Sequence, residues 1–316
     1  MKNIYNVGRN DVFWAGSDVG WVVGHSYITY APLIHGCTTI LFEGKPNFPD
    51  AGVVWRVIKD HNVSTFFTAP TALRAIKKED PNGKLIHKYD ISSLKRLWVA
   101  GERCDVFTLE WIGQLINIPV LDHYWQTETG WPILAPCIGI NDHAKIIPGS
   151  SNKPVPGYDV RIFERTDDDE SEEVSTIKEV QADQMGYIVI KLPLPPGTLL
   201  TLHNNDERYI AGYLRKYKGY YLTGDAGYKD KHGNVFVMSR TDDIINVAAH
   251  RLSTSAMEEV LHNHPEVAEA TVIGALDVIK GQTPIGFVVL KSDSTASEDQ
   301  IKADCISLMR KKVKKI

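Results

Sequence analysis

The sequence predicts an α/β protein: a covered, largely parallel or mixed sheet with helices, then a β-rich stretch, then a small α+β segment. Three changes of texture along the 316 residues carry that prediction. From residue 11 to about 150, short apolar runs alternate with helical patterns. From about 150 to 240 the pattern is β throughout, and beyond 240 a helix, two apolar runs and a second helix follow in turn. A chain of this length is ample for a sizeable core and, as a prior, for two domains.

In the first stretch, TTILF (38–42), VSTFFTAP (63–70) and LKRLWVAGE (94–102) read as buried strands, being short, apolar and rich in β-branched and aromatic residues. PDAGVVWRVIKDH (49–61) and DVFTLEWIGQLIN (105–117) space their apolar residues by three and four and read as helices. Strands that alternate with helices predict parallel pairing, because parallel neighbours need a crossover. Ligands are then expected at the C-terminal strand ends. In the second stretch, YDVRIF (158–163), GYIVIKL (186–192), GYYLTGDAGY (219–228) and GNVFVMS (233–239) read as strands, with KDKHGN (229–234) a hairpin loop and the acidic TDDDESEE (166–173) a solvated one. In the third, STSAMEEVLHNHP (253–265) reads as a helix capped by Ser or Thr and stopped by Pro265. EATVIGAL (269–276) and PIGFVVLK (284–291) read as strands. A last helix carries Ile301, Cys305, Leu308, Met309 and Val313 on one face and runs into RKKVKKI.

Composition removes several function classes. With 43% hydrophobic and 23% charged residues and a formal net charge of -4, the chain has no general affinity for nucleic acid or anionic membrane. No apolar run reaches the length of a membrane span, and MKNIYNVGRN lacks the apolar stretch of a secretory signal. Cys37, Cys104, Cys137 and Cys305 are scattered, which excludes a disulfide scaffold or a paired zinc spacing and predicts a reducing compartment. HNH at 262–264 reads as a helix end rather than a metal site.

One segment stands apart. DHYWQTETGW (122–131) crowds aromatic rings, two carboxylates, an amide and two threonine hydroxyls into a short loop. Buried polar groups without partners cost free energy, so this density reads as a binding loop rather than as core. Two further stretches, YYLTGDAGY (220–228) and SRTDDIINVAAHR (239–251), are weak signals singly and strong ones in this order.

Together these three stretches resemble the motifs of the adenylate-forming enzymes. GWVVGHSY (20–27), FTAPTALRA (67–75) and INVAAHRLS (245–253) narrow the resemblance to the short-chain acyl-CoA synthetases, and VAGERCD (99–105), VPGYDV (155–160) and VIKLPLPPG (189–197) to their propionyl-preferring branch. The resemblance implies a partial adenylate-forming fold with a domain boundary at 241/242: the later part of the large AMP-binding domain, with its β-rich part from about 150 to 241, then a truncated small C-terminal domain. It implies a two-step reaction with ATP, Mg2+ and coenzyme A, in which the acid is adenylated and then passed to the thiol.

Site residues follow by position. Gly101, Glu102, Arg103, Asp122, Tyr124 and Gln126 match the adenine site, Thr127 the α-phosphate contact, Glu128 the metal-bound carboxylate, Asp225 the ribose carboxylate with Arg240 beside it, and Arg251 a phosphate-approaching arginine. Thr127, Glu128 and Arg251 are the catalytic candidates. Val22, Val23, Ala100 and Trp125 match the acyl pocket, Ala249 the coenzyme A tunnel and Asp242 the hinge. Alanine at 100 leaves room that predicts propionate over acetate, since a methylene in an apolar pocket is worth about 1–3 kcal/mol. Arg103 stands where a proline is common, and Ala249 where a glycine is usual.

The family's Gly/Ser/Thr-rich phosphate loop and its catalytic lysine have no counterpart among the 316 residues. The resemblance therefore implies the middle half of a longer enzyme, inactive alone, with small-molecule partners and a mitochondrial-matrix or alternatively cytosolic setting; it does not specify an oligomeric state. Two other readings stand beside it: a nucleotide-binding remnant without turnover, and an acetyl-CoA synthetase.

Overall fold

The computed structural model describes residues 1–141, 145–164, 177–241, 243–247, 250–277, 281–291 and 294–312, with residues 244, 246, 250 and 251 described by their backbone alone. The acidic run 166–173 and Val313 lie outside the described residues.

A five-stranded parallel sheet occupies the first part of the chain, built from β1 (Val12–Gly16), β2 (Thr38–Thr39), β3 (Thr65–Thr68), β4 (Arg96–Val99) and β5 (Val120–Asp122) in the order β2-β1-β3-β4-β5. Helices Val53–His61, Pro70–Glu79 and Val106–Ile116 make the crossovers. The central strands carry mostly apolar residues because both faces are covered, and successive residues supply opposite faces. Trp14, Phe66, Leu97 and Val99 meet the helices through Trp55, Ile58, Leu73, Ile76 and Ile112. Phe13, Ala15, Phe67, Trp98 and Leu121 meet Tyr5, Tyr27 and residues of the next sheet, among them Ile188 and Tyr221.

TTILF departs from expectation. Only Thr38–Thr39 pair as a strand, and Leu41 is 72% exposed. The segment borders the sheet, where one neighbour is missing and a long apolar strand would present unpaired backbone.

The second sheet is antiparallel, β6 (Val160–Phe163), β7 (Gly186–Lys191), β8 (Tyr220–Lys229) and β9 (Val235–Arg240) in sequence order. The predicted hairpin loop joins β8 to β9, with Asp230 Oδ1 accepting from the amides of His232 and Asn234, both at 2.8 Å. This part is not purely β. Helix Asp206–Tyr209 runs directly into a π-helical turn, Ile210–Leu214, between β7 and β8. Its start is set by Asn205, whose side chain accepts from the Arg208 amide, and by two acidic residues in the first turn. It buries no residue fully and so carries no apolar period for sequence reading to detect.

The third sheet joins β10 (Ile244–Val247), β11 (His250–Ser253), β12 (Val267–Asp277) and β13 (Gly281–Leu290) in the antiparallel order β11-β10-β13-β12. Helix Thr254–His262 begins where expected, its Ser253 side chain accepting from the Ala256 amide. It and helix Glu298–Lys312 close a small core of Ile245, Met257, Leu261, Val272, Ile301 and Cys305.

Candidate functional site

The C-terminal ends of β3, β4 and β5 face the middle of β8 and the C-terminal end of β9 across a cleft of about 820 Å³. Nearly all the residues singled out in the first two sheets converge there: Val22, Val23, Ala100, Gly101, Glu102, Arg103, Asp122, Tyr124, Trp125, Gln126, Thr127, Glu128, Asp225 and Arg240. Its volume suits a nucleotide-sized ligand with a small substituent.

The loop after β5 explains its own crowding. Thr129 is buried and serves the backbone, its hydroxyl accepting from the Gln126 amide at 3.1 Å and lying 2.9 Å from the Trp131 carbonyl. Gly130 takes φ +68°, and the Tyr124 amide donates to the Leu134 carbonyl at 3.0 Å, closing the turn. Thr127 is exposed to the cleft, and no described group bonds its hydroxyl. One threonine thus builds the loop, and the other is available to a ligand.

Beneath the loop, His123 is locked into one tautomer. Its Nδ1 lies 2.8 Å from the Val99 carbonyl, which can only accept, so Nε2 accepts from the Tyr5 hydroxyl at 2.8 Å. Burial lowers its pKa to about 4, leaving a neutral ring. Asp122 next to it is pushed up to about 8 by burial, against the opposing effects of the His123 amide and Arg103. The shift favours the neutral acid at neutral pH.

Asp225 receives two side chains from the loop. Tyr124 donates to Oδ2 at 2.5 Å and Gln126 Nε2 to the same oxygen at 2.6 Å, while Gln126 also donates to the Thr223 carbonyl at 2.7 Å. The Tyr221 hydroxyl completes the amide by donating to Gln126 Oε1 at 3.1 Å. Arg240 lies opposite Asp225 in the β8–β9 register. Gly224, at φ +75°, lets the guanidinium approach: a Cβ there would stand 3.4 Å from it. Tyr124 therefore combines an apolar ring with a hydroxyl already bound to Asp225.

Glu128 accepts from the Tyr213 hydroxyl at 2.8 Å, and its carbonyl accepts from the Leu199 amide at 2.7 Å. Among the described residues no cluster of three His, Cys, Asp or Glu side chains could hold a metal. One carboxylate with an open hydroxyl beside it fits Mg2+ nonetheless, because that ion is commonly held by one or two carboxylates plus substrate phosphates and water.

On the apolar side, Val23 and Ala100 are buried. The Trp125 ring stands edge-on to Tyr27 at 5.4 Å and tilted against Phe67 at 6.4 Å, which fixes it as a wall. Exposed Trp21 also lines the cleft. Glu102 is engaged locally, accepting from the Thr71 amide at 2.6 Å and pairing with Arg74 at 3.2 Å. Arg103 reaches Glu259 of helix Thr254–His262 at 2.7 Å, joining the cleft to the third sheet's layer. Asp242 and Ala249 lie outside the described residues, and Arg251 is described by its backbone alone, paired with Asn246.

Sequence reading did not single out Tyr213, Tyr221 or Thr223. The last two share the strand face of Asp225 at a spacing of two, a signal that was present within a quoted motif. Tyr213 belongs to the unanticipated π turn and had none.

Comparison with known proteins bears on this cleft. A family model described as AMP-binding enzyme matches residues 1–194, and one described as AMP-binding enzyme C-terminal domain matches residues 256–316. The chain is 48% identical over 314 residues to mouse "Acyl-CoA synthetase short-chain family member 3, mitochondrial", covering 99% of this chain and 45% of that protein. It is 42% identical over 301 residues to "Propionate--CoA ligase" of Escherichia coli strain K12, covering 95% of this chain and 46% of the ligase. The chain thus spans just under half the length of these relatives. The crystal structure of an anthranilate CoA ligase in complex with anthranoyl-AMP matches with TM-score 0.79 at 23% identity, covering 98% of this chain and 55% of that one. At that identity the likeness speaks to the fold alone.

Proposed function

Because this chain belongs to the AMP-binding enzyme family, we propose that it is the middle half of an ATP-dependent short-chain acyl-CoA ligase that prefers propionate and accepts acetate. The observation that carries the reading is the union, in one cleft, of a polar set centred on Asp225 and Thr127 with a small apolar wall of Val22, Val23, Ala100 and Trp125. In the reaction proposed, the acid's carboxylate attacks the α-phosphate of ATP and releases pyrophosphate. The thiol of coenzyme A then attacks the acyl carbon and releases AMP.

Each residue's part follows from its chemistry. Asp225, already oriented by the bonds from Tyr124 and Gln126 to one of its oxygens, accepts from the ribose hydroxyls, with Arg240 beside it. Asp122 and Gln126 border the adenine edge with Gly101, Glu102, Arg103 and the Tyr124 ring. Thr127 donates to the α-phosphate as charge develops there, and Arg251 approaches the same phosphate. Mg2+, when bound at Glu128 and the phosphate oxygens, would offset that charge. Trp125 ends the acyl pocket, and the small side chain of Ala100 leaves the space of propionate's methyl. Domains of residues 1–241 and 242–316, hinged at Asp242, with Ala249 lining a coenzyme A tunnel, complete the proposal.

A second reading rests on a specific observation: no Gly/Ser/Thr-rich phosphate loop occurs within the 316 residues. The chain by itself is then a nucleotide-binding unit without turnover. For compartment, the relatives' names divide between a mitochondrial protein of mouse and one of a bacterium. We read the setting as the mitochondrial matrix, with cytosol the alternative.

The deciding experiment is pyrophosphate release with ATP, Mg2+, coenzyme A and either acid, run on the 316-residue chain and on the complete polypeptide. We expect near-zero release from the first and propionate-dependent release exceeding the acetate-dependent rate from the second. A complete polypeptide that turns over neither acid defeats the ligase reading. Acetate preference moves it to acetyl-CoA synthesis.

A further inference from the structure

Tyr213 lies in no motif, yet it holds the carboxylate assigned to the metal. Its hydroxyl donates to Glu128 Oε1 at 2.8 Å, and among the described residues no other side chain bonds that carboxylate. The ring is fixed independently of the bond. It stacks on Tyr221 with centroids 5.3 Å apart and planes 8° apart, and meets Tyr209 at 5.6 Å. Tyr221 is anchored in turn through Gln126.

The same segment grips the main chain of Glu128. Tyr209 donates to the Leu199 carbonyl at 3.1 Å, and the Leu199 amide donates to the Glu128 carbonyl at 2.7 Å. Tyr213 sits within the π-helical turn, where the Arg215 amide bonds the Ile210 carbonyl at 2.8 Å. Such wide turns displace side chains from ordinary helical positions and are frequent at functional sites. A glutamate on a loop has three side-chain torsions to order when it binds a cation, and a hydrogen bond to one oxygen orders them beforehand.

We propose that Tyr213 is a positioning residue for Glu128, holding one carboxylate oxygen so that the other is presented to the divalent cation that accompanies the nucleotide. The proposal rests on the reading of Glu128 as the metal-side carboxylate. It is opposite in sign to a blocking role, in which the hydroxyl would compete with the cation.

Tyr213→Phe tests it, because the ring and its stacking stay and only the hydroxyl leaves. In the complete polypeptide, with Mn2+ as the probe and ATP present, binding is followed by the electron paramagnetic resonance signal of the free ion. The expected result is Mn2+ binding weaker by roughly 10-fold or more. The Mg2+ concentration for half-maximal pyrophosphate release should rise in step, with kcat recovered at saturating Mg2+ and the KM for propionate unchanged. A merely structural tyrosine would lower kcat and thermal stability without that separation. Mn2+ binding as tight as wild type, or tighter, overturns the proposal. Glu128→Gln runs alongside. If it leaves Mn2+ binding intact, the metal assignment and the proposal both fall; if it abolishes binding while Tyr213→Phe does not, only the positioning role falls.

Discussion

Asp122 and Ala100 face the same cleft, and each turns one local property into a measurable consequence. Asp122 titrates near 8 in the fold and near 4 in an unfolded chain, with burial the main cause. The unfolded state therefore loses the proton first as pH rises. The stability contributed by the neutral acid is full below about pH 4 and is lost progressively up to about pH 8. Asp122→Asn, which cannot ionise, should gain on the wild type by up to about 1.4 kcal/mol per pH unit across that window, as read by urea unfolding at pH 5, 6.5 and 8. Parallel pH dependences would show that Asp122 is charged in the fold. On the proposed reading, Ala100→Val in the complete polypeptide narrows the acyl side, so the propionate-to-acetate ratio of kcat/KM should fall about 10-fold. An unchanged ratio would remove Ala100 from the pocket. The acyl residues, Thr127 and Glu128 could be singled out from a linear motif. What the motif did not reveal is why Thr129 is withdrawn from the cleft: its hydroxyl is taken up by the backbone of the turn as it folds back on itself.

At the scale of elements, legibility followed burial. Helix Val106–Ile116 was readable because Ile112 and its neighbours repeat against the sheet and because Asp105 caps it, accepting from the Thr108 amide at 2.8 Å. Asp105 also pairs with Arg74 at 3.1 Å. Burial works against its charge, while the Thr108 amide and Arg74 hold its carboxyl below the usual range. Asp105→Ala should cost about 2 kcal/mol in a denaturant titration, from the lost cap and the stranded arginine. Asp105→Asn should recover roughly half by keeping the cap. Equal losses from both would mean that the charge, not the cap, matters. The helix and π turn spanning residues 206–214 were invisible for the opposite reason: the segment is short and buries no residue fully, so its pattern is set by what it reaches rather than by a period. TTILF erred the other way, its apolar run suggesting a buried strand where the sheet already ends.

At the scale of the molecule, the cleft exists because three layers meet. The parallel sheet delivers β4 and β5, the antiparallel sheet delivers Asp225 and Arg240, and helix Thr254–His262 touches the rim through Glu259. The sequence by itself determined the alternation of elements, the period of each and the identity of the loop that lines the cleft, because these are encoded between near neighbours by side-chain size and polarity. Only the tertiary structure decided that Tyr124 and Gln126 converge on Asp225, and that Tyr213 clasps Glu128. These contacts join positions 101, 99 and 85 residues apart. No local pattern specifies such pairs, since hydrogen bonds at this separation depend on how whole layers pack before the side chains can meet.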